Sequence, residues 1–217
     1  MFKLIVCIVP HDQGEVITSA AKAKGAGGGS VIMGRGTAQN NIIQLLGLGD
    51  TSKDIVYVIV DDSIYPAVCK EILEVTSQKR KSFGVMFAID LMEFDKSGFE
   101  SEKSESGGKM DMSSESYKVI NVIVNKGYAE DAMAAARKAG AGGGTIISAR
   151  GTAREGDAKF LGIEIVPEKD FLMIVVPSEK SSQVVEAIRS LPCMQKAGSG
   201  IVFCNEAHDF TLLGKKE

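Results

Sequence analysis

The chain has 217 residues, 44% of them hydrophobic and 24% charged, with a formal net charge of −3. That composition supports buried cores and excludes a disordered chain, and the mild acidity offers no basic face for nucleic acid. The first apolar run is broken by Pro10, His11 and Asp12, too early for a signal-peptide core or a membrane span, so a cytoplasmic protein without direct membrane insertion is expected.

In chain order, Phe2–Val9 is apolar and β-rich and predicts a strand. His11 is isolated, as is His208 later, and neither has the neighbours of a metal ligand. Gln13–Lys24 carries apolar positions three and four apart, the pattern of an amphipathic helix, and Gly25 stands where its C-cap needs a left-handed backbone. A strand from Gly29 runs to Arg35, and Arg35, Gly36 and Thr37 open a long connection of the kind that is usually functional or mobile. Ile55–Val60 predicts a central strand, Ser63–Gln78 a second helix and Phe83–Leu91 a last strand.

Residues 93–116 are dense in Ser, Glu, Gly and Lys, a composition that cannot offset the entropy of ordering, and predict a flexible linker. The order then repeats: strand Tyr117–Val124, helix Ala129–Ala139, Gly140 at its end, strand Gly144–Arg150, a loop opened by Arg150, Gly151 and Thr152, strand Phe171–Val176, helix Glu179–Leu191 and strand Gly200–Cys204. Of the four cysteines, Cys7, Cys69, Cys193 and Cys204, none lies at C-x-x-C spacing, and Cys7 and Cys204 sit in apolar runs where a small buried side chain is expected.

The repetition is written in the residues. GAGGGSVIMGRGTA, residues 25–38, and GAGGGTIISARGTA, residues 140–153, agree at ten of fourteen positions. At the same offset Glu15 falls on Glu130; one residue further on, the segment 54–60 falls on 170–176. The reading is an internal duplication, with domains at 1–92 and 117–217 joined by the linker, each of order βαββαβ: an α+β class of tandem ferredoxin-like domains with antiparallel sheets.

The glycines end a helix and open a strand, the reverse of a dinucleotide fingerprint, and no P-loop motif exists. Two uses remain: a helix stop with a side-chain-free turn, or a backbone cradle for an anion. The loop from Gly151 to Glu168 is also open. Its alternating Ile163, Glu164, Ile165 suits a two-stranded ribbon, while its tip from Arg154 to Lys159 suits a segment ordered by a ligand.

The helix ending in a glycine turn, the strand leading into Arg150-Gly151-Thr152, and KFLGIEIVPEKDFLMIVVP at 159–177 resemble the P-II and P-II-like signal-transduction proteins, over both copies and most specifically in the second. The resemblance implies a non-enzymatic, homotrimeric regulator of nitrogen-related signalling. It further implies a small effector, ATP, ADP or another adenine nucleotide, bound between domains, and a mobile loop acting on a target such as a transporter or enzyme. The site it implies comprises Arg150, Gly151, Thr152 and Arg154 with Lys196, Gly198, Ser199 and Gly200, and Arg35, Gly36 and Thr37 in the first copy. The chain departs from the family at Gly198-Ser199-Gly200-Ile201, which lacks the phosphate-loop lysine, and at Lys79-Arg80-Lys81-Ser82-Phe83-Gly84, where the first copy's glycines thin out. The alternatives are an enzyme on the same scaffold, using Glu155 and Asp157 near Lys159, or a metal-binding trimer, which the scarcity of histidine disfavours.

Overall fold

Phe2–Pro10 forms β1 in the computed structural model, which describes residues 2–37, 52–91, 93–94, 102–103, 116–151, 159–160, 163–164, 168–195 and 199–215. The strand is central because both its edges are used. Ile5 lies opposite Val58 of β3 (Ser52–Asp61) and opposite Ala88 of β4 (Gly84–Leu91), and both pairings are antiparallel. Its alternation sends Ile5, Cys7 and Val9 to one face, where they meet Ile17, Ala20 and Ala21 of helix α1 (Gly14–Ala23) and Val68 and Ile72 of α2 (Tyr65–Thr76). A strand buried this way reads as a continuous β-branched run, which is why its limits were plain in the sequence.

The second half repeats the order. β7 (Tyr117–Asn125), α3 (Ala129–Lys138), β8 (Thr145–Arg150), β11 (Glu168–Pro177), α4 (Ser178–Arg189), the single turn α5 (Pro192–Gln195) and β12 (Gly200–Leu213) follow one another, and Ile120, Met133, Leu172, Val184 and Ile188 form its core. Strand β2 (Ser30–Gly36) neighbours β3, giving the order β4-β1-β3-β2; in the second half the order is β12-β7-β11-β8. Both are the order of a split βαβ motif, and the chain is of the α+β class with antiparallel pairing.

By proximity the chain divides into two compact units, one of residues 1–33, 52–117 and 206–217, the other of 34–51 and 118–205. These limits differ from those expected at 92 and 117, for a reason of backbone pairing. Arg35 and Gly36 lie opposite Ile146 and Thr145 of β8, so this piece of the first copy belongs to the second unit. Strand β12, expected to stop at Cys204, continues to Leu213; His208, Thr211, Leu212 and Leu213 lie opposite Ala88, Met86, Val85 and Gly84 of β4 in the first unit. Asn205, Glu206 and Asp209 are poor strand formers, so only a non-local partner makes this stretch a strand.

Three smaller expectations are adjusted. The linker holds a short ladder, β5 (Glu93–Phe94) against β6 (Glu102–Lys103). In the loop after β8, β9 (Lys159–Phe160) pairs with β10 (Ile163–Glu164) as a separate two-stranded ladder, where the ribbon reading has Phe160–Val166 extending the next strand; the tip at 154–158 lies outside the described residues. Cys204 is exposed rather than buried. Among the described residues no helix is long and apolar enough to cross a membrane.

Candidate functional site

The glycine stretches act first as helix stops. Gly25 and Gly140 both have φ of +95°, and each follows its helix with the same pair of bonds. Gly25 N–H donates to Lys22 O and Ala26 N–H to Ala21 O; Gly140 N–H donates to Arg137 O and Ala141 N–H to Ala136 O. That is the Schellman arrangement, completed by the buried methyls of Ala26 and Ala141. Gly144, at the far end of the second stretch, allows close approach instead. A Cβ there would lie 2.8 Å from Met173 O and 2.9 Å from Leu172 Cδ1.

Thr37 fastens this turn within the second unit. Its hydroxyl accepts from Gly144 N–H at 2.8 Å and donates to Gly144 O at 3.0 Å, while its own N–H donates to the same oxygen at 2.9 Å. Arg137 donates to Thr37 O, and Arg35 pairs with Glu130 on α3. Thr37 is only 5% exposed, and its polar groups are spent on the scaffold. The Arg35-Gly36-Thr37 segment therefore builds the junction between β2 and β8.

A second group of polar residues collects at the other end of β8. Arg150 lies opposite Glu168, the first residue of β11, and Lys126 N–H donates to Glu168 O at 3.1 Å. Lys126 Nζ reaches Glu168 Oε2 at 2.5 Å, and Lys169 Nζ donates to Asn125 Oδ1 at 2.5 Å. The hydrogen bond from Lys126, and then its charge, hold the Glu168 carboxyl below its ordinary range, and the same bond raises the Lys126 ammonium. Lys126, Arg150, Lys169 and Glu168, with Ser148 and Ala149, line an open cleft of about 430 Å³. Three cations against one carboxylate give it a positive balance suited to an anion.

The turn that carries Lys126 is held from below. Gly127 N–H donates to Asp170 Oδ2 at 2.8 Å, and Asp170 is 5% exposed. In the first unit Asp54, 116 positions before Asp170, also accepts a backbone bond, but from Gly14 N–H at 2.9 Å, two residues beyond the position that corresponds to Gly127. On the other flank of β7, Gly200 opens β12 so close to the sheet that a Cβ would lie 3.2 Å from Ile123 O and 2.5 Å from Met194 Sδ. Ser199 precedes it. Because β12, β7, β11 and β8 are neighbours in that order, Ser199 and Gly200, Lys126, Glu168 and Lys169, and Arg150 and Gly151 line one end of one sheet.

Of the expected site residues, the structure thus brings Arg150, Gly151, Ser199 and Gly200 to this end. Arg35, Gly36 and Thr37 sit by Thr145 and Gly144, roughly 16 Å away along β8. Thr152, Arg154, Lys196 and Gly198 lie outside the described residues. Sequence reasoning missed Lys126, Glu168 and Lys169. The signal for the last was present, since Lys169-Asp170 repeats Lys53-Asp54 in the register that aligns the two strands.

Residues 117–216 match the family model described as nitrogen regulatory protein P-II. Among solved structures, the chain is similar to GlnK of B. subtilis in complex with ATP, with 21% identity over 43% of this chain and 83% of that one, at a TM-score of 0.34. It is also similar to CPII of Thiomonas intermedia K12 bound to ADP, AMP and acetate (20% identity, 42% and 85% coverage, TM-score 0.31). A protein of unknown function from Galdieria sulphuraria aligns over 95% of this chain and 99% of its own at 10% identity and a TM-score of 0.30. No curated protein matches the chain.

Proposed function

We propose that the protein is a non-enzymatic regulator of the P-II-like type, two copies in tandem, that binds an adenine nucleotide at the cationic sheet end of its second copy. It then acts on a target protein through the loop that follows Arg150. The observation that carries this reading is the convergence of Lys126, Lys169 and Arg150 on one cleft in the half of the chain that matches the P-II model. The link to nitrogen signalling comes from that family match, the nucleotide class from the resemblance carried by the sequence motifs, and the anion preference from the cleft.

The cleft also offers an answer to the missing phosphate-loop lysine. Ser199 and Gly200 bring backbone close to the sheet, and Lys126 and Lys169 supply charge from the neighbouring strand ends. Arg150 adds a planar fork suited to phosphate oxygens. Thr152, Arg154, Lys196 and Gly198 complete the site in this reading, and a homotrimer sets each cleft beside a neighbouring chain.

Titration calorimetry with ATP, ADP and AMP tests it. Each cation that contacts phosphate contributes about 1.5–3 kcal/mol, so Lys169→Ala and Arg150→Ala should each weaken nucleotide binding roughly tenfold to a hundredfold. Nucleotide at about 100 times Kd should stabilise the fold by about 2.7 kcal/mol, readable as a higher thermal midpoint. Absence of binding by all three nucleotides at about 1 mM, an affinity of only about 4 kcal/mol, would remove the proposal.

A further inference from the structure

The carboxylate that lines the cationic cleft is placed there by the backbone. Lys126 N–H donates to Glu168 O at 3.1 Å, which sets the start of β11 against the turn after β7, and the two side chains then meet at 2.5 Å. That ion pair is not needed to close the turn. In the first unit His11 and Ser52 stand 115 and 116 positions earlier and form the same backbone bond, His11 N–H to Ser52 O at 3.3 Å, with neither a lysine nor a carboxylate at those two positions. The ammonium and the carboxylate enter together in the second copy, so their pairing serves the cleft rather than the fold.

Glu168 divides the three cations of the cleft. It bonds Lys126 and lies opposite Arg150 in the register of β11 and β8, and Arg150 acts on the carboxyl through its charge. Lys169 follows Glu168 in the strand and so leaves β11 on the other face. There its Nζ donates to the neutral Asn125 Oδ1 at 2.5 Å, a bond that leaves the positive charge uncompensated. With Lys126 engaged, the charges on Arg150 and Lys169 are the two that the cleft of about 430 Å³ offers to an incoming anion.

We infer that Glu168 is the residue that sets the cleft's specificity, making it select a single phosphate, a monophosphate ester in preference to a di- or triphosphate; this rests on the reading of the cleft as an anion site. A phosphate monoester carries close to two negative charges at pH 7, which the two open cations match. Further phosphates call on a third cation, and Lys126 becomes available only when its bond to Glu168 breaks. The two side chains are 60% and 63% exposed, so breaking the pair costs affinity by a factor of at most about five. The displaced carboxylate then repels each additional negative charge about 4 Å away, a second factor of about five in water. Glu168 thus holds back polyphosphates by roughly tenfold through opposition rather than contact.

Titration calorimetry of the full chain with AMP and with ATP, at low ionic strength and without divalent cations, reads the ratio of the two affinities. Wild type should bind AMP at least as tightly as ATP. Glu168→Gln should shift the ratio about tenfold toward ATP, and adding Lys126→Gln should take most of that shift away, because the gain comes from the released ammonium group. Salt at about 0.5 M should shrink the shift, as a change of packing alone would not. Where Glu168→Gln fails to fold by circular dichroism, Glu168→Ser, the residue of the first copy, takes its place with the same expectation. A wild type that prefers ATP, or a ratio unchanged in the variant while both nucleotides bind, would overturn the inference and leave the anion site standing. Binding of neither nucleotide at about 1 mM would remove the site and the inference together.

Discussion

Replacing Thr37 with valine separates a scaffold role from a ligand role for the Arg35-Gly36-Thr37 segment. Valine keeps the shape and removes the hydroxyl, which both accepts from Gly144 N–H and donates to Gly144 O. The carbonyl keeps the Thr37 N–H bond at 2.9 Å, but the Gly144 N–H loses its partner beside a side chain that is 5% exposed. Leaving such a donor unmet costs about 1–3 kcal/mol, centred near 2. For a chain of this length each kcal/mol moves the midpoint by about 2–4 °C, so Thr37→Val should melt roughly 4–8 °C below wild type. Thr37→Ser, which keeps the oxygen and loses only a methyl, should fall by less than half as much. Calorimetric melting with and without ATP reads both effects. An unchanged midpoint in Thr37→Val, accompanied by lost nucleotide binding, would refute the scaffold assignment and return Thr37 to the ligand site.

Two further expectations concern packing and titration. Gly144→Ala should destabilise by about 1–3 kcal/mol because its Cβ would meet the Met173 carbonyl at 2.8 Å, whereas Gly143→Ala, whose nearest neighbour is Thr37 Oγ1 at 3.7 Å, should stay within about 0.5 kcal/mol, as urea denaturation can measure. Burial pushes the Cys69 thiol up to about 11, against a hydrogen bond with Tyr65 that pulls it down. At pH 8 its thiolate fraction is then on the order of 10⁻³, so iodoacetamide should label it about a hundredfold more slowly than an ordinary thiol, with the rate climbing as pH rises toward 11. Peptide mass spectrometry showing Cys69 labelled as fast as a model thiol at pH 8 would contradict this.

The elements were legible wherever a local rule set them. The β-branched runs of β1, β3, β7 and β11 gave strands, and Gly25 and Gly140 marked helix ends that the Schellman bonds account for. What escaped was set by distant partners. No local feature of Asn205 to Leu213 announces a strand, yet the free edge of β4 makes it one, with Leu213 entering the first unit's core. Likewise Arg35 and Gly36 were read as the opening of a loop because the sequence cannot reveal that β8 waits for them.

The site shows the same division. Motif reasoning found the glycines and the arginines because those residues stand in recognisable words, and it recorded a missing lysine because the word lacked it. Charge at a site is a property of space, however. Lys126 enters from the end of β7 and Lys169 from the start of β11, and the register that places Glu168 opposite Arg150 puts both beside the arginine. Asp170 shows how that placement is secured: its carboxylate, almost fully buried, holds the Gly127 N–H and with it the turn on which Lys126 rides. Lys169 and Asp170 therefore act together, the aspartate holding the turn through Gly127 N–H and the lysine bonding Asn125 Oδ1 at the end of β7. In the first unit His11 stands 115 positions before Lys126 and bonds Asp54 through Nδ1 at 3.0 Å, so the end of β1 carries an imidazole where the end of β7 carries an ammonium group. The two turns share a backbone bond, Gln13 N–H to Pro10 O and Tyr128 N–H to Asn125 O, but differ at every side chain from 10–14 to 125–129, so the ammonium group of Lys126 has no counterpart at that position of the first unit.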